Sequence, residues 1–222
     1  MELERPSAIP ALPHAARAVP IAADPPSKRA LDLALAGLML LCSAPVWPVV
    51  ALAIKLEDRG PVFYAQERWG RGGGTFRVRK FRTMIQHAGL RPAEQGDRRI
   101  TRVGRLLRAC GMDELPQLLN IWRGEMSFVG PRALAVGEQL RDASGTQISY
   151  ESVPGFWGRL AVRPGLTSIA TIYLPKDAPP RRKFRYDRLY IRHQSLLIDL
   201  RLIVLSFWIS FRGKWEARGR KY

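Results

Sequence analysis

LALAGLMLLCSAPVWPVVALAI, residues 33–54, contains no charged side chain. As one straight helix its 22 residues would measure about 33 Å, enough to cross a bilayer core of about 30 Å. Two features oppose a simple crossing. Pro45 and Pro48 sit in the middle of the run, where each removes a backbone donor and bends a helix. The flanks are cationic at both ends, with Lys28 and Arg29 before the run and Lys55 and Arg59 after it. Cations favour the cytoplasmic side of a membrane, so both ends are drawn to the same face. A helix that enters, kinks at Ser43-Ala44-Pro45 and returns satisfies both features. A spanning helix and a buried helix of a soluble core remain alternatives, although an uncharged run of this length exceeds most core helices.

Upstream, residues 1–27 contain six prolines among alanines and read as a flexible leader. Their acidic start, with no small-residue cleavage site after the apolar run, does not fit a signal peptide. The whole chain has 222 residues with 36 Lys and Arg against 19 Asp and Glu, a net charge of +17. That imbalance calls for an anionic partner: nucleic acid, an anionic membrane surface or a phosphorylated substrate. Cys42 and Cys110 lie far apart, and His14, His87 and His193 show no ligand spacing. Neither a disulfide framework nor a zinc site is indicated.

Downstream, Pro61-Val62-Phe63-Tyr64 reads as a short strand and Gly70 to Gly74 as a turn. Thr75-Phe76-Arg77-Val78-Arg79-Lys80-Phe81 alternates apolar and basic residues, as a half-buried strand does. Together they predict a β-hairpin. The glycines lack the Gly-Lys-Ser/Thr ending of a nucleotide-binding loop. Residues 86–98 read as a polar loop. Residues 100–109 place Val103, Leu106 and Leu107 on one face and arginines on another, which predicts a short basic amphipathic helix. A second helix is expected to start near Asp113 and residues 137–160 to form loops. Residues 196–211 are strongly apolar yet hold Asp199 and Arg201, followed by Arg212 and Lys214. This pattern fits a helix lying in the headgroup region or, alternatively, a core helix.

The stretch Arg108-Ala109-Cys110-Gly111-Met112-Asp113-Glu114-Leu115-Pro116-Gln117 carries the most chemistry. Adjacent helical side chains diverge by about 100°, so Asp113 and Glu114 suit two different roles better than one shared face. One carboxylate can attack phosphorus; its neighbour can hold Mg²⁺, which takes one or two carboxylates plus substrate phosphates. Arg108 would offset the repulsion between a carboxylate and a diphosphate. Gly130-Pro131-Arg132 and Arg163-Pro164-Gly165 each set an arginine beside a tight turn, and Lys80-Phe81-Arg82-Thr83-Met84 ends a strand in basic residues.

In this order these residues resemble the bacterial sugar transferase family, the monotopic phosphoglycosyl transferases. The resemblance runs from Lys28 to Phe211. It takes in Lys28-Arg29 with Asp32, Ile54-Lys55-Leu56 with Gly60-Pro61-Val62-Phe63, Gln66-Glu67-Arg68 and Ile100-Thr101-Arg102-Val103-Gly104, besides the motifs above. It implies an α-rich α/β monotopic membrane protein with a re-entrant kinked helix broken at Ser43 and Pro45, a small β-hairpin, and amphipathic interfacial helices. The expected organisation is a leader over 1–27, the re-entrant helix over 28–56, a cytoplasmic catalytic domain over 57–187, and a C-terminal interfacial helix with a basic tail over 188–222.

The resemblance further implies a transferase of the bacterial inner membrane, with its catalytic domain facing the cytoplasm. It would move a sugar 1-phosphate from a nucleotide sugar, with uridine expected, to polyprenyl (undecaprenyl) phosphate and so initiate surface polysaccharide assembly. Asp113 matches the nucleophile. Glu114, with Asp113, would hold Mg²⁺, and Lys80, Arg108, Arg132 and Arg163 would meet phosphates. The partners implied are the nucleotide-sugar donor, the lipid acceptor and the membrane, with no nucleic acid; a homo-oligomer is compatible. The chain departs from the family pattern at Ala133, at Ser168, at Gly111-Met112 before Asp113, and at the helix break, where Ala44 intervenes and Pro48 is extra. Lacking an additional multi-span membrane region, it resembles the minimal form. The rival readings are a nucleic-acid-binding protein, motivated by the charge, and a non-enzymatic membrane scaffold.

Overall fold

The computed structural model describes residues 19–86, 88, 97–141, 147–175 and 177–211. His14, His87, most of the expected 86–98 loop and the basic tail lie outside them.

Two helices replace the long apolar run: α1 (Pro26–Ser43) and α2 (Val46–Asp58), bent by 60° at the break. The chemistry of the break is local. Pro45 precedes α2 and Pro48 sits in its first turn, where backbone donors lack helical acceptors in any case. Ala44 keeps a helical conformation and its carbonyl accepts from Trp47 N. The Trp47 indole donates to Ser43 Oγ across the break at 3.1 Å. No single helix among the described residues is long and apolar enough to cross a membrane; only the bent pair together is.

Strands β1 (Phe63–Trp69) and β2 (Thr75–Phe81) form the expected antiparallel hairpin, with Phe63 opposite Phe81 and Trp69 opposite Thr75. Phe76 and Val78 point inward while Arg77 and Arg79 point to solvent, as the alternation requires. Helix α3 (Arg102–Cys110) follows, with Leu107 buried but Leu106 exposed at 70 %, so the apolar stripe read from the sequence is only partly covered.

The next helix does not begin at Asp113. Gly111 closes α3 in the left-handed conformation (φ 69°), Met112–Glu114 form a single 3-10 turn, and α4 (Gln117–Arg123) starts after Pro116. Gly111 ends the first helix as an αL cap, and the turn it starts reaches Pro116 before regular α-helix resumes.

Strand β3 (Ser127–Val129) pairs in parallel with β6 (Gly165–Thr167). The span expected to be loops instead holds β4 (Gln139–Arg141), β5 (Gln147–Ser149) and α5 (Phe156–Arg159). These elements are too short for periodicity to register. Helices α6 (Ile169–Tyr173), α7 (Pro180–His193) and α8 (Leu196–Phe211) complete the chain. Helix α7 runs continuously through residues 187 and 188.

The main core joins α1, α4, β2, β3 and α8 through Ala36, Val78, Leu118, Ile121, Phe128 and Leu202. A second core sets Trp69 against Phe156 and Phe184. Val19 is buried there, and Ala22 N donates to Ala161 O, so residues 19–25 of the expected leader pack on the domain. Both ends of the bent pair are fastened to this one body. Lys28 reaches β3 and α8, and Arg29 donates to the Ile121 and Trp122 carbonyls at the end of α4. At the other end, Glu57 accepts from Arg102 N and Val103 N at the start of α3. Asp58 forms an ion pair with Arg82. The middle of the pair bears exposed Leu38, Leu41, Val49 and Leu52. Helix α8 buries Leu202 and Ile203 and exposes Leu197, Val204, Phe207 and Trp208. One face of α8 is therefore core, as the core-helix reading expects, while the other exposes apolar side chains.

Candidate active site

Lys80 stands near the end of β2, and its ammonium lies 2.5 Å from Glu114 Oε1. Three residues on, Thr83 Oγ1 accepts from Arg108 Nε at 2.9 Å, which holds the end of α3 against the end of the hairpin. The 3-10 turn carrying Asp113 and Glu114 is thus clamped between β2 and α3. Arg132 is delivered by the Gly130-Pro131 turn after β3. That turn requires glycine for space: a Cβ on Gly165 would lie 2.1 Å from Gly130 N, and one on Gly130 would lie 2.4 Å from Arg163 O. The two Pro-containing motifs therefore meet backbone to backbone, held by Gly165 N to Pro131 O and Gly130 N to Thr167 O.

Lys80, Glu114 and Arg132 line one cleft together with Arg68, Gln117 and Ala133. Three cations face one carboxylate there, and Asp113 stands beside it, coupled electrostatically to Lys80, Glu114 and Arg108. The sequence reading quoted Arg68 and Gln117 without assigning them to the site. Arg68 donates to Ala133 O at 2.5 Å and to Gln66 Oε1 at 2.8 Å. Burial, and then Arg132, depress its pKa, so a further anion in the cleft would relieve both. The available sequence signal is slight: Gln66 and Arg68 are two apart in β1 and so share one face of the strand.

Arg163 is not among the cleft-lining residues. It lies 2.8 Å from Asp24, which also binds Arg71 at 2.9 Å. The two serine and alanine departures have simple structural roles. Ser168 caps α6, its Oγ accepting from Thr171 N at 3.0 Å; Ala133 is a buried wall of the cleft.

The two neighbouring carboxyls are driven apart. Burial pushes the Asp113 carboxyl up to about 6, against the pull of Lys80 and Arg108. Burial acts on Glu114 in the same direction, but the charge and hydrogen bond of Lys80, with Arg132 and Gln117, outweigh it and hold Glu114 below the usual range. Divergent pKa values in adjacent acids mark a division of labour. Glu114 is partnered by Lys80, which favours its charged form. Asp113 forms no ion pair among the described residues and is poised to react or to meet a cation. Among the described residues no three His, Cys, Asp or Glu side chains converge on one point. A hard cation at this pair would take its other ligands from substrate phosphates and water, which suits Mg²⁺.

Known proteins resemble this chain over most of its length. The chain is 40 % identical over 185 residues to the exopolysaccharide production protein PSS of Rhizobium leguminosarum, covering 79 % of this chain and 90 % of the relative. It is 40 % identical over 187 residues to the UDP-glucose:undecaprenyl-phosphate glucose-1-phosphate transferase of Caulobacter vibrioides, covering 80 % and 67 %. To the Escherichia coli K12 protein of the same name it is 36 % identical over 197 residues, spanning 84 % of this chain but 40 % of that longer relative. Residues 24–213 match the family described as Bacterial sugar transferase, and the chain therefore belongs to the bacterial sugar transferase family.

Proposed function

We propose that this protein transfers a sugar 1-phosphate from a UDP-sugar to undecaprenyl phosphate, as the first step of exopolysaccharide assembly. The observation that carries the reading is the 3-10 turn bearing Asp113 and Glu114, with Glu114 bound to Lys80 in a cleft shared with Arg68 and Arg132. An ionised Asp113 oxygen attacks the sugar-bearing phosphorus. The bond from that phosphorus to the bridging oxygen of the diphosphate breaks, the nucleoside monophosphate leaves with the electron pair, and the phosphosugar stays on Asp113 as an acyl phosphate. A phosphate oxygen of the lipid then attacks the same phosphorus. This frees Asp113 and yields a diphosphate-linked sugar. Arg68, Lys80 and Arg132 bind and orient the donor diphosphate, and their charge offsets its repulsion of the attacking carboxylate. Glu114, with Asp113, would hold Mg²⁺, which supplies charge neutralisation at the phosphates when bound.

The bent helix pair is read as re-entrant, with the catalytic domain on the cytoplasmic face of the bacterial inner membrane. What supports this is the attachment of Lys28 and Arg29 at one end, and of Glu57 and Asp58 at the other, to the same body. Exposed Leu41, Leu52, Leu56, Leu197, Val204 and Phe207 provide an apolar surface for lipid. Ser27 and Arg59 are both exposed. Cysteines placed there in a Cys42→Ser, Cys110→Ser background are expected to react with a membrane-impermeant maleimide from the cytoplasmic side only; reaction from opposite sides would overturn the re-entrant reading.

The activity itself is tested with purified protein, Mg²⁺, undecaprenyl phosphate and a panel of UDP-sugars. Glucose and N-acetylgalactosamine come first because relatives are named for them. Release of UMP is expected to depend on the lipid for multiple turnovers and on the sugar for rate. A panel in which no UDP-sugar yields UMP above the lipid-free background, alongside an active relative as control, would refute the proposal.

A further inference from the structure

We infer that the buried ion pair between Arg159 and Asp187 positions Arg132, and through it the donor diphosphate; this rests on the reading of Arg132 as a phosphate contact. Arg159 ends α5 and Asp187 lies within α7, and neither lines the cleft. Both side chains are almost wholly buried, at 3 % and 2 %. Withdrawing two ions from water is costly, and apolar side chains could close the same helix contact more cheaply. The guanidinium, however, does three directed things at once. Its Nε donates to Asp187 Oδ2 at 2.9 Å, its face covers the Phe184 ring at 4.8 Å, and its Nη2 donates to the Arg132 carbonyl at 2.6 Å.

That last bond reaches the turn that presents Arg132. On its other side the same turn is held by β6, Gly165 N donating to Pro131 O and Gly130 N donating to Thr167 O. The backbone of residues 130–132 is therefore gripped from two directions. The Arg132 side chain is exposed and has no ion-pair partner among the described residues. Where its guanidinium stands in the cleft is set largely by its own backbone. Asp187 holds the orientation of Arg159, and Arg159 holds the carbonyl of Arg132. Loosening either contact would free the turn to shift, and a small misplacement of a phosphate-binding group is enough to lower a rate.

Lysine cannot replace this fork, because one ammonium cannot satisfy Asp187 and the Arg132 carbonyl while keeping a flat face on Phe184. Arg159→Lys and Asp187→Asn are therefore measured in the native chain and in an Arg132→Ala background. In the native chain each is expected to lower kcat/KM for the UDP-sugar about tenfold; in the Arg132→Ala background each should cost less than about twofold, because the residue being positioned is gone. A general loss of folded protein would reduce activity by the same factor in both backgrounds. Equal tenfold losses in the two backgrounds, with Arg132→Ala itself impaired, would overturn the positioning role alone. Full activity of Arg132→Ala would overturn the reading of Arg132 and this inference with it. Thermal unfolding identifies a variant that does not fold. The near-isosteric Asp187→Asn then carries the comparison, since it keeps an oxygen acceptor for Arg159 and removes only the charge.

Discussion

Asp113→Asn is expected to reduce UMP release by about 10,000-fold or more, the scale of losing a nucleophile, while the protein keeps its fold. The amide is nearly isosteric and sits in a 3-10 turn whose geometry depends on Gly111 and Pro116 rather than on this side chain. The same carboxyl predicts a pH profile. Only the ionised form attacks phosphorus, and the Asp113 pKa is pushed up to about 6 by burial. The single-turnover rate of phosphosugar capture should fall as pH drops below about 6 at low Mg²⁺, and saturating Mg²⁺ should move that limb to lower pH by favouring the ionised carboxyl. The stability effect has the opposite sign. A carboxyl raised above its unfolded value of 3.8 favours the folded state while protonated, and that advantage is lost as pH rises through about 6. At pH 7 the native chain therefore carries a desolvated charge that asparagine removes. Asp113→Asn is expected to gain on the order of 1 kcal/mol at pH 7, after allowance for solvent screening, and nothing at pH 3. Activity above a hundredth of native, or a variant less stable than native at pH 7, would contradict this account.

Much of the frame was legible in the sequence because its signals are local. Two prolines and an uncharged run mark the bend between α1 and α2, and strict alternation from Thr75 to Phe81 marks β2. Other parts depend on contacts distant along the chain. The β3–β6 pair joins three-residue strands almost forty positions apart, too short and too remote for any periodicity to reveal. Helix α7 reads as a charged segment, PRRKFRYDRLYIRH. Its buried face includes Asp187, whose place in the core is supplied by Arg159 on another helix, so the apolar stripe that would have announced it is interrupted. The site divides in the same way. The Asp113–Glu114 pair and the nearby cations Lys80, Arg108 and Arg132 were readable from residue type and order. Arg163 has the same residue type beside a similar turn, and the structure sets it against Asp24 in residues 19–25, outside the cleft lining. Those residues carry no motif of their own. Arg68 shows the converse case, since only the fold of β1 against Ala133 brings it into the cleft.

Breaking the Lys28–Asp199 pair should be the most destabilising change of a single polar group. Lys28 and Asp199 are 3 % and 1 % exposed and their charged atoms are 2.7 Å apart. The Lys28 ammonium also donates to Val129 O at 2.9 Å and to the Tyr190 hydroxyl at 3.0 Å. That hydroxyl in turn donates to Asp199 Oδ1 at 2.6 Å. The Lys28 ammonium and both Asp199 oxygens are thus used, which is the condition under which a buried pair holds together. Lys28→Met leaves Asp199 without its cation, and Asp199→Leu leaves an unpaired ammonium; either should cost about 3–5 kcal/mol. For a chain of this size that lowers the unfolding midpoint by roughly 6–20 °C, measured in detergent or nanodiscs. The double variant Lys28→Met, Asp199→Leu removes both charges and should recover most of the loss, because apolar groups of similar volume replace a buried pair at little net cost. Activity should follow a different course. Lys28 fixes α1 to Val129, the residue before Gly130-Pro131-Arg132, so the double variant is expected to regain stability more fully than turnover. Single variants that shift the midpoint by less than about 2 °C would show that water reaches the pair and that the start of α1 is held by its apolar contacts with α4 instead.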